Sequence, residues 1–183
     1  MTTTTTTETL TDERADLLDT LHKHRGLFRG TVDGIDDDQA RARPTVSELT
    51  LGGLIKHVSA VERNWAQFIL EGPAPSPDID WANVDWSNPP PEVAAYADGF
   101  RMLEGETLAG LLTDYDAVAA ATDALVATVD LDARQALPQA PWFPPGASWS
   151  ARRVFMHIVA ETAQHAGHAD IIRETIDGQK SMG

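Results

Sequence analysis

Cysteine is absent from the 183 residues of the chain. That excludes disulfides, thiolate metal sites and a cysteine nucleophile. Any sulfur chemistry would have to use a thiol brought in from outside. Basic residues are scarce, with 14 Lys and Arg against 28 Asp and Glu and a formal net charge of −14. Nucleic acid and anionic membrane surfaces are poor partners for so acidic a chain. No apolar run approaches the roughly 20 residues that span a bilayer. The N-terminus, Met1 followed by Thr2 to Thr7, lacks the basic start and apolar core of a signal peptide. The expectation is a cytoplasmic protein with a disordered Thr-rich tail over 1–9, one domain over 10–178 and a short tail over 179–183. The pattern also lacks an internal repeat and any convincing strand.

What the sequence does hold is concentrated near the C-terminus, in His157-Ile-Val-Ala-Glu161-Thr-Ala-Gln-His165-Ala-Gly-His168. On a helix at about 100° per residue, with His157 as zero, Glu161 falls near 40°, His165 near 80° and His168 near 20°. All four side chains share one narrow stripe. Burying such a stripe is costly unless its polar groups are used. Two histidines with one acid suit a catalytic zinc ion or the facial triad of non-haem iron. One helix cannot wrap a metal alone, so a second element must supply a ligand.

Read from the start, Thr11 caps a first helix over about 12–33, with acids in its first turn. Residues 36–43 add a short helical turn. Thr50 caps a second helix, whose Leu51, Leu54, Ile55, Val58, Val61, Trp65, Phe68 and Ile69 form a wide apolar stripe. His57 lies within that stripe, near Leu54, Val61 and Phe68, and points inward. It is the candidate for the missing ligand. Six prolines between 72 and 91, with Trp81 and Trp86 among them, forbid a regular helix there. That loop reads either as a lid over a site or as a cover for the bundle. Helical spacing returns from Pro91, with a junction at Gly99 or Gly105 and a third long helix over about 105–130. A second Pro-rich loop, 131–147, carries Trp142 and Phe143. Ser148 or Ser150 then caps a last helix over about 150–176, ended by Asp177-Gly178. Four long amphipathic helices without strands imply an all-α four-helix bundle. In such a bundle His57 and the Glu161/His165 pair can meet. Two neutral imidazoles and one carboxylate would leave a divalent ion with open positions for water or substrate.

The chain resembles the DinB/YfiT-like superfamily, and within it the actinobacterial branch related to mycothiol-dependent maleylpyruvate isomerase. The resemblance rests on Ser47-Glu-Leu-Thr-Leu-Gly-Gly-Leu-Ile-Lys-His57, on Glu62-Arg-Asn-Trp65, and on Ser148-Trp-Ser-Ala-Arg-Arg leading into Glu161 to Glu174. It covers about residues 10–178. Much of the superfamily carries a histidine at the position of Glu161, whereas the isomerase branch uses His, Glu, His. Carried over by position, the resemblance implies metal ligands His57, Glu161 and His165 in an up-down-down-up bundle. It further implies a zinc ion, with iron or nickel as alternatives, and mycothiol or a similar small-thiol cosubstrate. Relatives of this kind are often homodimers.

Two functional classes follow. One is a metal-dependent enzyme acting on a small-molecule substrate, either by thiol transfer or isomerisation or, without a thiol, by hydrolysis. His168 is its expected catalytic proton shuttle. The other is a non-catalytic metal- or small-molecule-binding stress protein. His157 reads as an orienting donor or an ordinary packed histidine, Trp65 and Trp149 as core, and Asp170 with Arg173 as a solvated or helix-packing pair. Arg152 or Arg153 is a candidate partner for an acidic group of the cosubstrate.

Overall fold

The computed structural model describes residues 10–75, 84–85, 87–138, 140 and 142–181. The proposed Thr-rich tail over 1–9 lies outside them. So do residues 76–83 and 86 of the proposed lid, Trp81 and Trp86 among them. Six helices and a two-stranded ribbon follow in order: α1 Asp12–Gly30, α2 Asp37–Arg41, α3 Leu51–Glu71, α4 Pro91–Asp98, α5 Leu108–Thr128, β1 Arg134–Ala136, β2 Ser148–Ser150 and α6 Ala151–Asp177. The described fold is all-α apart from this ribbon.

The helix starts follow from capping chemistry. The hydroxyls of Thr50, Thr107 and Ser150 accept from the backbone N–H of Gly53, Gly110 and Arg153, satisfying donors that a helix start leaves unpaired. Asp36 and Gln39 form a reciprocal capping box on α2. Thr11 precedes α1, but its side chain makes no cap hydrogen bond. α6 stops at Gly178, whose φ of 79° is left-handed and suits glycine.

Four helices make the bundle, and their polar contacts fix its directions. Arg14, early in α1, donates to the carbonyls of Val126 and Val129 at the end of α5, while Arg29, late in α1, meets Asp116. α1 and α5 are therefore antiparallel. Glu13 pairs with Arg152 at the start of α6, and Arg173 near its end reaches the Thr31 and Asp33 carbonyls, so α1 and α6 are parallel. α3 runs against α6, with His57 beside His165 and Trp65 beside His157. The order is up-down-down-up.

Two apolar clusters fill the interior. One gathers Phe28, Leu51, Leu54, Ile55, Leu111, Tyr115 and Ile172. The other gathers Leu21, Phe68, Ile69, Val126, Val154, Phe155 and Ile158. Burying one such large apolar side chain stabilises the fold by about 1.5–3 kcal/mol. Between the two clusters every bundle helix carries a buried polar residue: Arg25 on α1, Ser59 and Glu62 on α3, Thr122 on α5 and Thr162 on α6. The bundle thus has a polar belt at mid-height, and Glu161 immediately precedes Thr162 in it.

The strands are a departure from the sequence expectation. Arg134, Gln135 and Ala136 pair antiparallel with Ser150, Trp149 and Ser148. Three residues are too few to show a two-residue alternation, and the prolines between them read as loop. The ribbon continues through Ala151 N–H to the Ala133 carbonyl and Arg152 N–H to the Leu131 carbonyl, which ties the start of α6 to the loop after α5. It also sets Trp149 against α3.

Candidate metal centre

α3 and α6 bring His57, Glu161 and His165 together. One ligand atom from each lies within 4.8 Å of the others. The i,i+4 spacing stacks Glu161 and His165 on one face of α6, where Nε2 of His165 is 3.6 Å from Oε2 of Glu161. The His57 ring meets that of His165 edge-on, with centroids 4.9 Å apart. These separations exceed good hydrogen bonds. The three groups face one another without satisfying one another. That is the geometry of a set that could hold a cation, and two imidazoles with one carboxylate fit a divalent one.

Electrostatics keep the site ready for such an ion. Burial pushes the pKa of His57 below its ordinary 6.5, the neighbouring His165 adds to the effect, and Glu161 opposes it. Burial also lowers His165, opposed by Glu161 and helped by His168. Both imidazoles are therefore neutral near pH 7, and a neutral ring offers its lone pair to a metal.

The other histidines of the stripe flank these three side chains. His157 places Nε2 at 3.4 Å from Oε1 of Glu161, the carboxylate oxygen not turned to His165. Burial depresses its pKa as well. Its ring sits edge-on to Trp65 at 4.8 Å and to Trp149 at 5.0 Å, and those two indoles stack at 4.9 Å. Trp65 and Trp149 are half-buried, and they pack against the second apolar cluster as well as flanking His157. His168 puts Nδ1 at 3.4 Å from Nδ1 of His165. It lies beside the cluster, at the end away from Glu161.

Asp170 and Arg173 do not pair with each other. Arg173 binds Asp177 and Gln179 as well as the Thr31 and Asp33 carbonyls, whereas Asp170 accepts from Ser181 N–H. Arg152 is engaged by Glu13 and Asp132, and Arg153 lies over the Trp149 ring at 4.9 Å. Sequence reasoning missed Phe100 altogether. Its ring stacks on His57, with centroids 4.3 Å apart and planes 23° from parallel. A signal for it did exist: the Gly52-Gly53 pair inside a helix marks a close backbone approach.

The family profile described as mycothiol-S-transferase matches residues 16–178. A search of curated proteins finds no match. Among solved structures, a conserved protein from Enterococcus faecalis superposes with a TM-score of 0.61 over 90% of this chain and 97% of its own, at 16% sequence identity. At that identity the likeness concerns the fold.

Proposed function

The chain belongs to the mycothiol-S-transferase family, and on that premise we propose that it joins a small thiol, mycothiol or a close analogue, to an electrophile at a divalent metal ion, most simply zinc. The observation that carries this reading is the convergence of His57, Glu161 and His165 within 4.8 Å. The lack of cysteine agrees with it, because the sulfur must then come from the cosubstrate. Such a role suits the cytoplasm, where small thiols are kept reduced.

His57, Glu161 and His165 would hold the ion, which supplies a lower thiol pKa and hence thiolate at neutral pH. The sulfur then attacks an electrophilic carbon. A C–S bond forms, and the displaced group leaves with its bonding electrons or, in an addition, the electrons move onto the electrophile. The thiol proton passes to a base, and we assign that role to His168, the half-buried imidazole beside His165. His157 faces the free oxygen of Glu161 and would hold the carboxylate in place. Trp65 and Trp149 form an apolar wall beside it that would keep water from the thiolate.

The test supplies zinc-loaded protein with mycothiol, bacillithiol, glutathione or coenzyme A and a bimane electrophile. Thiol-dependent conjugation that His57→Ala abolishes is the expected result. No conjugation with any thiol, together with metal-dependent ester or amide hydrolysis, would reassign the protein as a hydrolase. Silence in both assays would leave a binding protein.

A further inference from the structure

The three side chains of the candidate centre are steadied in different ways. Glu161 has His157 beside one oxygen, and His165 has His168 beside its Nδ1. Among the described residues, neither ring nitrogen of His57 has a hydrogen-bond partner. A metal-binding histidine is usually fixed by a hydrogen bond at its second nitrogen. Without one, rotation about the bond to the ring is soft, because that torsion has broad minima. What His57 has instead is the flat face of Phe100.

The segment 99–107 is built to bring that face there. Gly53 lies one turn before His57 on the same side of α3. A Cβ added at Gly53 would stand 2.2 Å from the Phe100 carbonyl oxygen and 2.9 Å from its carbon, so only glycine admits the backbone this close. The neighbouring Gly52 leaves room for the buried Met102, whose sulfur would be 2.7 Å from a Cβ there. Lys56 clamps the same segment, with Nζ at 2.7 Å and 3.0 Å from the Glu106 carboxylate oxygens and 3.4 Å from the Arg101 carbonyl. Glu106 in turn accepts from Leu103 N–H at 2.7 Å. Tyr96, one turn before Phe100, lies edge-on to it at 5.2 Å.

We propose that Phe100 is a positioning residue of the metal centre: its stacked ring sets the rotation of the His57 imidazole so that the ligating nitrogen faces Glu161 and His165, and Gly53 is the residue that permits the approach. The inference rests on His57 being a ligand, as proposed above. It predicts a dependence on the aromatic plane at position 100, which ordinary packing would not require.

The experiment compares Phe100→Leu, Phe100→Tyr, Gly53→Ala and His57→Ala with the parent chain. Cobalt(II) is the probe, its affinity read by competition with a chromophoric chelator and its geometry by the visible absorption band. Urea unfolding of the metal-free proteins controls for folding. Phe100→Leu keeps apolar bulk but not the flat face. It is expected to weaken cobalt binding about 10–100-fold, the usual cost of losing a ligand's support, and to change the band. Phe100→Tyr should restore both, and Gly53→Ala should shift them in the same direction as leucine. Parent-like affinity and an unchanged band in Phe100→Leu, beside a defective His57→Ala, would overturn the positioning role alone. Parent-like affinity in His57→Ala would overturn both that role and the assigned ligand set.

Discussion

Two clusters of ionisable side chains share the polar belt at mid-height of the bundle, and they are built on opposite plans. In the interior, Arg25 grips Glu62 with two nitrogens, at 2.6 Å and 3.2 Å, and Asp123 with a third at 2.8 Å. The far oxygen of Asp123 is 2.6 Å from Nε2 of His22. Arg25 and Glu62 are almost wholly buried, and the network is closed, with each charge answered by short, directed bonds. Burial alone would depress the guanidinium pKa, but the bonds and charges of Glu62 and Asp123 raise it. On the α3–α6 flank, by contrast, His57, Glu161 and His165 converge at separations of 3.6 Å and more, and burial disfavours the charged imidazoles. The first cluster has nothing left to bind. In the second the three side chains make no short bonds to one another, which is what a ligand set requires.

The contrast is broken most severely from the closed side. Glu62→Ala strands a buried guanidinium and is expected to destabilise the protein by about 3–5 kcal/mol. Urea unfolding measures this, and a loss below about 1 kcal/mol would mean that the network is not closed in solution. His165→Ala tests the open side. It should abolish most metal occupancy by elemental analysis, yet change the metal-free protein's stability by no more than about 1 kcal/mol. Full occupancy in that variant would show the ligand set to be wrong.

pH sharpens the same comparison more gently. The pKa values of His57, His157 and His165 all lie below the ordinary 6.5 because burial disfavours the imidazolium. Between those values and 6.5 the unfolded chain binds more protons than the folded one. Stability of the metal-free protein should therefore fall as pH drops through that window and be fully present above it. The Arg25 guanidinium stays charged throughout and adds no slope. A double His57→Ala, His165→Ala variant should flatten the dependence; an unchanged slope would place the titration elsewhere. The smallest effect belongs to a third, solvated network. Arg152 is held by Glu13 and Asp132 at the surface, so Arg152→Ala should leave the unfolding midpoint and the thiol's KM within error.

The open cluster was partly legible before folding, and the closed one was not. Glu161 and His165 share a helical face, a relation that about 100° per residue settles without any knowledge of the fold. His57 could be singled out because it interrupts an apolar stripe. Glu62 falls in the same stripe, in line with Ile55, Val58 and Ile69, but a buried acid names no partner, and the pairing shows only when the helix that carries Arg25 is placed beside it. Trp65 and Trp149 read as core, and both do pack against the second apolar cluster. Their place beside His157 depends on the ribbon of β1 and β2, whose strands were too short to detect.

The sequence by itself determined the four long helices, the cap at Thr50 and a serine cap at 148 or 150, the left-handed stop at Gly178 and the stripe of His157, Glu161, His165 and His168. All of these follow from interactions within about one helical turn. Tertiary structure alone decided which flank of α3 faces α6, that Arg25 and Glu62 neutralise each other, and that Phe100 lies on His57. Those contacts join residues at least 37 positions apart, and a local pattern carries no record of distances across a bundle. Gly53 is the one residue that belongs to both descriptions: a glycine inside a helix is visible in the sequence, but only the carbonyl of Phe100 resting on it explains why no larger residue fits.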